Sequence, residues 1–162
     1  MNNSLQMLKY LLILTFFHFL VVFSFYAQML PDWSENTKFE SDSNSNEIIV
    51  SHFLATWCQP CMQELPIFDS IANSHLYTIH FQFIVMDFEN TRSLYKKMKR
   101  LGLPGSLYYL SPKIENQHLV TDNWNGILPF TAIQFPNEQQ IIELYGKQTS
   151  ASIIQFIKDH EN

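Results

Sequence analysis

The chain has 162 residues, 46% hydrophobic and 15% aromatic, which suits one domain with a full apolar core. A formal net charge of −5 argues against a basic face for nucleic-acid phosphates, so no nucleic-acid partner is expected. Two cysteines are too few for a secreted disulfide scaffold, and a lone Cys-x-x-Cys is redox or metal chemistry first.

Residues 1–9 are polar with one positive charge, Lys9. Residues 10–27 are almost wholly apolar, broken only by Thr15, His18 and Ser24. As a helix this run would span about 27 Å, just short of a hydrocarbon core of about 30 Å. Tyr10 and Tyr26 would then lie at the two interfaces. The segment is either a cleaved signal peptide or an uncleaved membrane anchor. The anchor is favoured because a cut after Ala27 would put bulky Phe25 at the third residue before it. Both alternatives export the rest of the chain. Lys9 precedes the run and Asp32, Glu35, Glu40 and Asp42 follow it, which sets the C-terminal part outside the cytoplasm.

Residues 28–46, with the cluster Ser41 to Asn46, read as a polar linker, and Pro31-Asp32-Trp33 as an ordered lead-in to the domain. From residue 47 the pattern alternates. Residues 47–55 suggest a strand. Residues 59–73 suggest a helix kinked at Pro66. Residues 79–86 form an apolar run typical of a strand covered on both faces. Residues 91–101 suggest a helix with Asn90 as its cap and Lys96, Lys97, Lys99 and Arg100 near its negative end. Residues 102–105, Gly-Leu-Pro-Gly, stop it. Residues 106–110 are a short extended piece, and residues 111–125 have no clear assignment beyond a partly helical character. Residues 129–135 and 140–145 read as a hairpin across Pro136-Asn137-Glu138-Gln139, and residues 150–160 as a closing amphipathic helix. The expected architecture is α/β: a central mixed sheet with helices on both faces, preceded by an N-terminal hydrophobic helix.

The chemistry concentrates in Ala55-Thr56-Trp57-Cys58-Gln59-Pro60-Cys61, between a strand and a helix. A thiolate is the nucleophile, and the first turn of a helix lowers a thiol pKa through unpaired N–H groups and the helix dipole. Cys58 is therefore the expected attacker. Cys61 lies one turn on, facing the same side, and can resolve the mixed disulfide. Pro60 suits a first turn, where no N–H is needed. No Lys or Arg occurs between Lys38 and Arg92, so the pair lies in a segment free of basic residues.

Other readings of these residues exist. A disulfide closing so short a loop would be a weak structural staple. Cys58, Cys61, His75 and His80 match the spacing of a Cys2His2 zinc site, but Pro66 and the strand-like run from Leu76 argue against the helix that site needs. Glu64, three residues past Cys61, is either a proton carrier for the thiols or a solvated helix glutamate. His52, six before Cys58, is a proton acceptor beneath the thiols or, as favoured, a satisfied core histidine. Trp57 would cover the pair and limit solvent.

The run Ala-Thr-Trp-Cys-x-Pro-Cys after an apolar strand resembles the thioredoxin fold. Its continuation, Met62-Gln63-Glu64-Leu65-Pro66, is similar to the exported or membrane-tethered TlpA/ResA-like thiol–disulfide oxidoreductases. The resemblance covers residues 31–162, most strongly 53–66. It implies a protein-disulfide oxidoreductase, mostly a reductant, for example toward apocytochrome c. Cys58, Cys61 and Glu64 would be catalytic. Pro129, in Ile127-Leu128-Pro129-Phe130, would be a cis-proline facing the cysteines, with the Leu128 backbone and Trp57 completing the substrate-binding wall. Implied partners are protein thiols and disulfides and a membrane electron donor, with no cofactor and no metal. The chain departs from thioredoxin in having His52 where thioredoxin is acidic and Gln-Pro between the cysteines. Residues 106–125 match the family poorly. The alternative class is a metal-binding or chaperone-like module without turnover.

Overall fold

The structure is a computed structural model that describes residues 2–26, 30–34, 46–87, 91–111, 114–122, 124–136 and 140–160. The linker cluster 41–45, the cap Asn90 and the turn residues 137–139 lie outside the described residues. Two compact units are present, Met1–Leu30 and Pro31–Asn162.

The first unit is a helix, α1 (Asn2–Tyr26). Residues 6–19 are all exposed, including Leu11, Leu12, Ile13, Leu14, Phe16 and Phe17. The N-terminal segment is helical, but among the described residues no helix is long and apolar enough to cross a membrane, so the expected hydrophobic membrane helix is not supported.

The second unit is built on a five-stranded mixed sheet in the order β3-β2-β1-β4-β5. The strands are β1 (Ile48–Leu54), β2 (Ile79–Val85), β3 (Ser106–Tyr109), β4 (Phe130–Gln134) and β5 (Ile141–Tyr145). β1, β2 and β3 run parallel, and β4 and β5 antiparallel to them. β1 is central and buried along its whole length, and its two polar residues, Ser51 and His52, are hydrogen-bonded inside to Gln82 and Thr131.

Three helices, α2 (Gln59–Ala72), α3 (Thr91–Arg100) and α4 (Ser150–His160), contribute to one apolar cluster. That cluster joins Val50 and Leu54 of β1 with Leu65 and Phe68 of α2, Leu94 and Met98 of α3, and Ile153 and Ile157 of α4. The two crossovers, β1-α2-β2 and β2-α3-β3, step in the same direction, so right-handed connections set both helices on one face. The opposite face holds Phe53, Ile84, Phe130 and Trp33, with Leu119 of a 3-10 helix, Ile114–Leu119, packed on them. The sheet is thus flanked on both sides, with the α-helices on one side and the 3-10 turn, from the stretch without a clear sequence signal, on the other.

α2 buries Cys61, Glu64, Leu65, Phe68 and Ile71, the stripe of a helix lying on a sheet. It passes Pro66 as one helix. Proline there removes the donor that the Met62 carbonyl would normally receive, and Lys97 Nζ of α3 donates to that oxygen at 3.4 Å. Pro31-Asp32-Trp33 is ordered as expected: Asp32 bridges Tyr109 of β3, and the buried Trp33 donates from Nε1 to the Leu119 carbonyl. Gly105 must be glycine, because it has φ 97° and a Cβ there would overlap the Phe81 carbonyl.

Candidate functional site

Leu54 is the last residue of β1, and its carbonyl accepts from Met86 N at the end of β2. The chain then turns: Cys58 N donates back to the Ala55 carbonyl at 3.1 Å, with Thr56 and Trp57 between. Thr56 is held from the neighbouring strand end. Its N–H donates to Asp87 Oδ1 at 2.7 Å, and its hydroxyl donates to Asp87 Oδ2. Cys58 follows as the N-cap of α2, with φ −77° and ψ 96°, and Pro60 sits in the first turn. This is the strand–turn–helix read from the sequence.

Cys58 and Cys61 are joined as a disulfide, with Cα atoms 5.3 Å apart. Cys61 N–H points at Cys58 Sγ, 3.3 Å away. Cys61 is fully buried, whereas Cys58 retains 5% of its surface, so Cys58 is the less buried of the pair. When the bond opens, that N–H and the helix end stabilise negative charge on Cys58 Sγ.

Trp57 does not cover the pair as expected, since it is 74% exposed. It follows the pinned Thr56 in the turn and faces outward, and the sulfurs are buried by the apolar cluster they belong to. The Leu128–Pro129 peptide bond is cis, as anticipated for Pro129. Register puts it beside the thiols. Phe130 pairs with Phe53, so Pro129 lies at the level of Leu54, where β1 turns toward Cys58. Pro129 is buried, its carbonyl accepts from Gly146 N, and Leu128 packs against both apolar clusters.

Glu64 is completely buried one turn past Cys61. Gln148 N–H donates to its Oε1 at 3.2 Å, and Oε2 has no hydrogen-bond partner among the described residues. Burial raises its pKa to about 7, against the opposing pull of the Gln148 hydrogen bond and the Lys147 charge. A solvated helix glutamate is therefore excluded. The side chain is a buried carboxyl that gains and loses a proton near neutral pH.

His52 is buried against Phe68, with ring centroids 4.6 Å apart, and its Nδ1 is hydrogen-bonded to Thr131 Oγ1 at 3.0 Å. Burial pushes its pKa down to about 3, so it is neutral over the working range. It is a core histidine bonded on one nitrogen, while Nε2 has no hydrogen-bond partner among the described residues.

The zinc-like set does not assemble. His80 pairs with Ile49 at the start of β1, while Cys58 lies beyond its end, roughly 16 Å of strand away. Among the described residues no group of three or more His, Cys, Asp or Glu side chains is placed to hold a metal.

Three features were missed in the sequence. Asp87, Gln148 and the loop before Pro129 all act across large sequence separations or through backbone groups. In that loop Trp124 Nε1 donates to the Ile127 carbonyl and Ile127 N to Asn125 Oδ1, around Gly126 at φ 84°. Asp87, directly after an apolar strand, was the only one with a local signal.

The thioredoxin family model matches residues 32–120. The chain belongs to the thioredoxin family. Thioredoxin H3 of Arabidopsis thaliana is 29% identical over 86 residues, covering 53% of this chain and 69% of that protein. Thioredoxin H-type of Brassica campestris is 32% identical, and the alignment covers 49% of this chain and 60% of that protein. The thioredoxin-related protein of Neisseria meningitidis serogroup B shares the fold, with a TM-score of 0.60 at 20% identity, covering 80% of this chain and 96% of that one. So does a secreted Mycobacterium tuberculosis disulfide oxidoreductase homologous to E. coli DsbE, with a TM-score of 0.56 at 12% identity, covering 72% and 84%. A thioredoxin whose Cys-x-x-Cys pair closes as a disulfide at the start of α2 is a thiol–disulfide oxidoreductase.

Proposed function

We propose that this oxidoreductase reduces protein disulfides outside the cytoplasm, as in the maturation of c-type cytochromes. The observation that carries the reading is the inequality of the two cysteines: Cys58 is the less buried and its sulfur receives an N–H, while Cys61 is fully buried one turn behind it. The Cys58 thiolate attacks a substrate disulfide, forming a mixed disulfide and expelling one substrate thiolate. Cys61, losing its proton, attacks Cys58 Sγ and expels the second. The substrate gains two electrons, and the pair ends as the disulfide seen here. Glu64 is the acceptor for the Cys61 proton, being buried one turn away and titrating near neutrality. Leu128 and Pro129 line the groove for the substrate peptide, and exposed Trp57 adds an apolar contact. A membrane electron donor restores the dithiol.

Export is supported by the apolar segment 10–27 and the acidic residues after it. Under this reading residues 1–27 act as a signal peptide or membrane anchor for the thioredoxin-like domain, whose compact unit begins at Pro31. The secreted Mycobacterium tuberculosis disulfide oxidoreductase has the same fold.

Insulin reduction by the purified chain tests the activity. Cys58→Ser should be inactive and Cys61→Ser should trap mixed disulfides; full activity of Cys58→Ser would sink the assignment. The reduction potential of the pair tests the direction. A value near that of thioredoxin, about −270 mV, fits a reductant, and one near about −120 mV marks an oxidant. Fractionation with protease accessibility tests the location. A domain shielded in intact cells would refute export.

A further inference from the structure

We propose that Asp87 is a positioning residue for the thiol pair, acting through Thr56 on the hydrogen bond that Cys58 Sγ receives. The inference builds on the reading of Cys58 as the attacking thiolate. Asp87 is half-buried at the end of β2, directly after Met86, whose N–H holds the Leu54 carbonyl. Its two carboxyl oxygens take separate donors from one residue, the backbone N–H and the hydroxyl of Thr56. Thr56 is the first inner residue of the Ala55–Cys58 turn, so this double contact fixes the turn at the point where it leaves the sheet.

The consequence passes down the chain. Cys58 is the N-cap of α2, and its sulfur lies 3.3 Å from Cys61 N only while the turn keeps Cys58 at the extended φ and ψ of a cap. In the oxidised protein the disulfide also holds the two residues together. In the dithiol that bond is gone, and the turn geometry alone aims Cys58 Sγ at the N–H. Asp87 therefore matters most in the reduced state, where it keeps the thiolate stabilised. Releasing the turn weakens the N–H···S contact, raises the Cys58 pKa and destabilises the dithiol relative to the disulfide. The reduction potential then becomes more negative.

This role is separable from plain electrostatics because the two have opposite signs. If Asp87 acted only as a nearby negative charge, removing it would favour the thiolate and lower the Cys58 pKa. A positioning role predicts a rise.

The experiment uses the reduced full chain and reads the pH dependence of Cys58 alkylation by iodoacetamide and the redox equilibrium with glutathione. Neither readout needs a protein substrate, so both remain informative even where insulin reduction fails. Asp87→Ala should slow alkylation at neutral pH about tenfold and shift the redox equilibrium about tenfold, or about 30 mV, toward the disulfide. Thr56→Val keeps Asp87 but removes the hydroxyl, and should move both readouts the same way by less. Thr56→Ser retains both donors and should restore wild-type values. If Asp87→Ala proves unfolded, the Thr56→Val and Thr56→Ser pair decides the matter. A lowered Cys58 pKa in Asp87→Ala, or unchanged readouts in Thr56→Val, would overturn the proposal.

Discussion

The two ends of the sheet are built differently. At the end where β1 and β2 finish, side chains and backbone groups are bound together across the sequence: Thr56 to Asp87, Cys61 N–H to Cys58 Sγ, and Glu64 to Gln148 N–H. At the other end, Asn46, Tyr77, Thr78, Phe135 and His160 surround an open cleft of about 500 Å³. Among the described residues that line it there is no thiol, no buried carboxyl and no cis peptide bond. Parallel strands leave their chemistry at their C-terminal ends, where the chain departs into helices whose N-termini stabilise negative charge. The thiol end is fixed before it meets a partner, and among the described residues there Trp57 and Ile127 stand well out into solvent.

The sharpest test of this contrast is Cys58→Ser, which should abolish insulin reduction while leaving the thermal transition close to that of the reduced wild type. Next in size is Phe68→Ala. Phe68 is fully buried on α2 and touches His52, Phe81 and Phe83, so its loss should cost about 3–5 kcal/mol by denaturant titration. A cost below about 1 kcal/mol would show that α2 is not seated on the sheet as described.

The two buried ionisable groups under α2 give opposite pH trends. The folded pKa of His52 is lowered to about 3 from 6.5, so its contribution to stability is full above pH 6.5 and is lost as pH falls toward 3. His52→Leu should flatten that acid limb. An unchanged limb would place the acid sensitivity elsewhere. The folded pKa of Glu64 is raised to about 7 from 4.5, so its contribution is full below pH 4.5 and is lost as pH rises through 7. Glu64→Gln should therefore be more stable than the wild type at pH about 8, by roughly 2–3 kcal/mol, and should slow insulin reduction. Equal stability at alkaline pH would mean that the ionised carboxylate is accommodated without penalty.

The smallest effect belongs to the cleft end. Leu76→Ser, at a residue 56% exposed, should change stability by less than about 0.5 kcal/mol and leave insulin reduction untouched. A loss of activity there would break the division between the two ends.

The thiol end was largely legible because its information is local. Cys58, Cys61 and Pro60 occupy one turn, with a short apolar run before them and a helical stripe of period 3.6 after them. Pro129 was legible only through resemblance, since nothing local says that a residue 71 positions from Cys58 lies at the same sheet end. The stretch 111–125 was opaque for a physical reason. Its described residues include a short 3-10 helix, Ile114–Leu119, and Val120 is buried against the sheet with Leu119 and Trp124 partly buried beside it, with no periodic stripe. The exposure of Trp57 also could not be read from the sequence, because the turn that carries it is held at Thr56 by Asp87 from the end of β2.

By itself, then, the sequence determined that two thiols sit at a strand-to-helix turn, in unequal positions, within an alternating α/β domain. Side-chain periodicity and helix-end chemistry act over a few residues and need no knowledge of the rest. Only the tertiary structure decided the environment of that turn. It brought Asp87 to Thr56, Gln148 to Glu64 and Pro129 level with Leu54, because strand pairing joins residues that the chain separates by 31 to 84 positions. Burial, too, is a property of the assembled sheet and helices. It left Glu64 titrating near neutrality and His52 uncharged, two states that the same side chains in an open chain would not have.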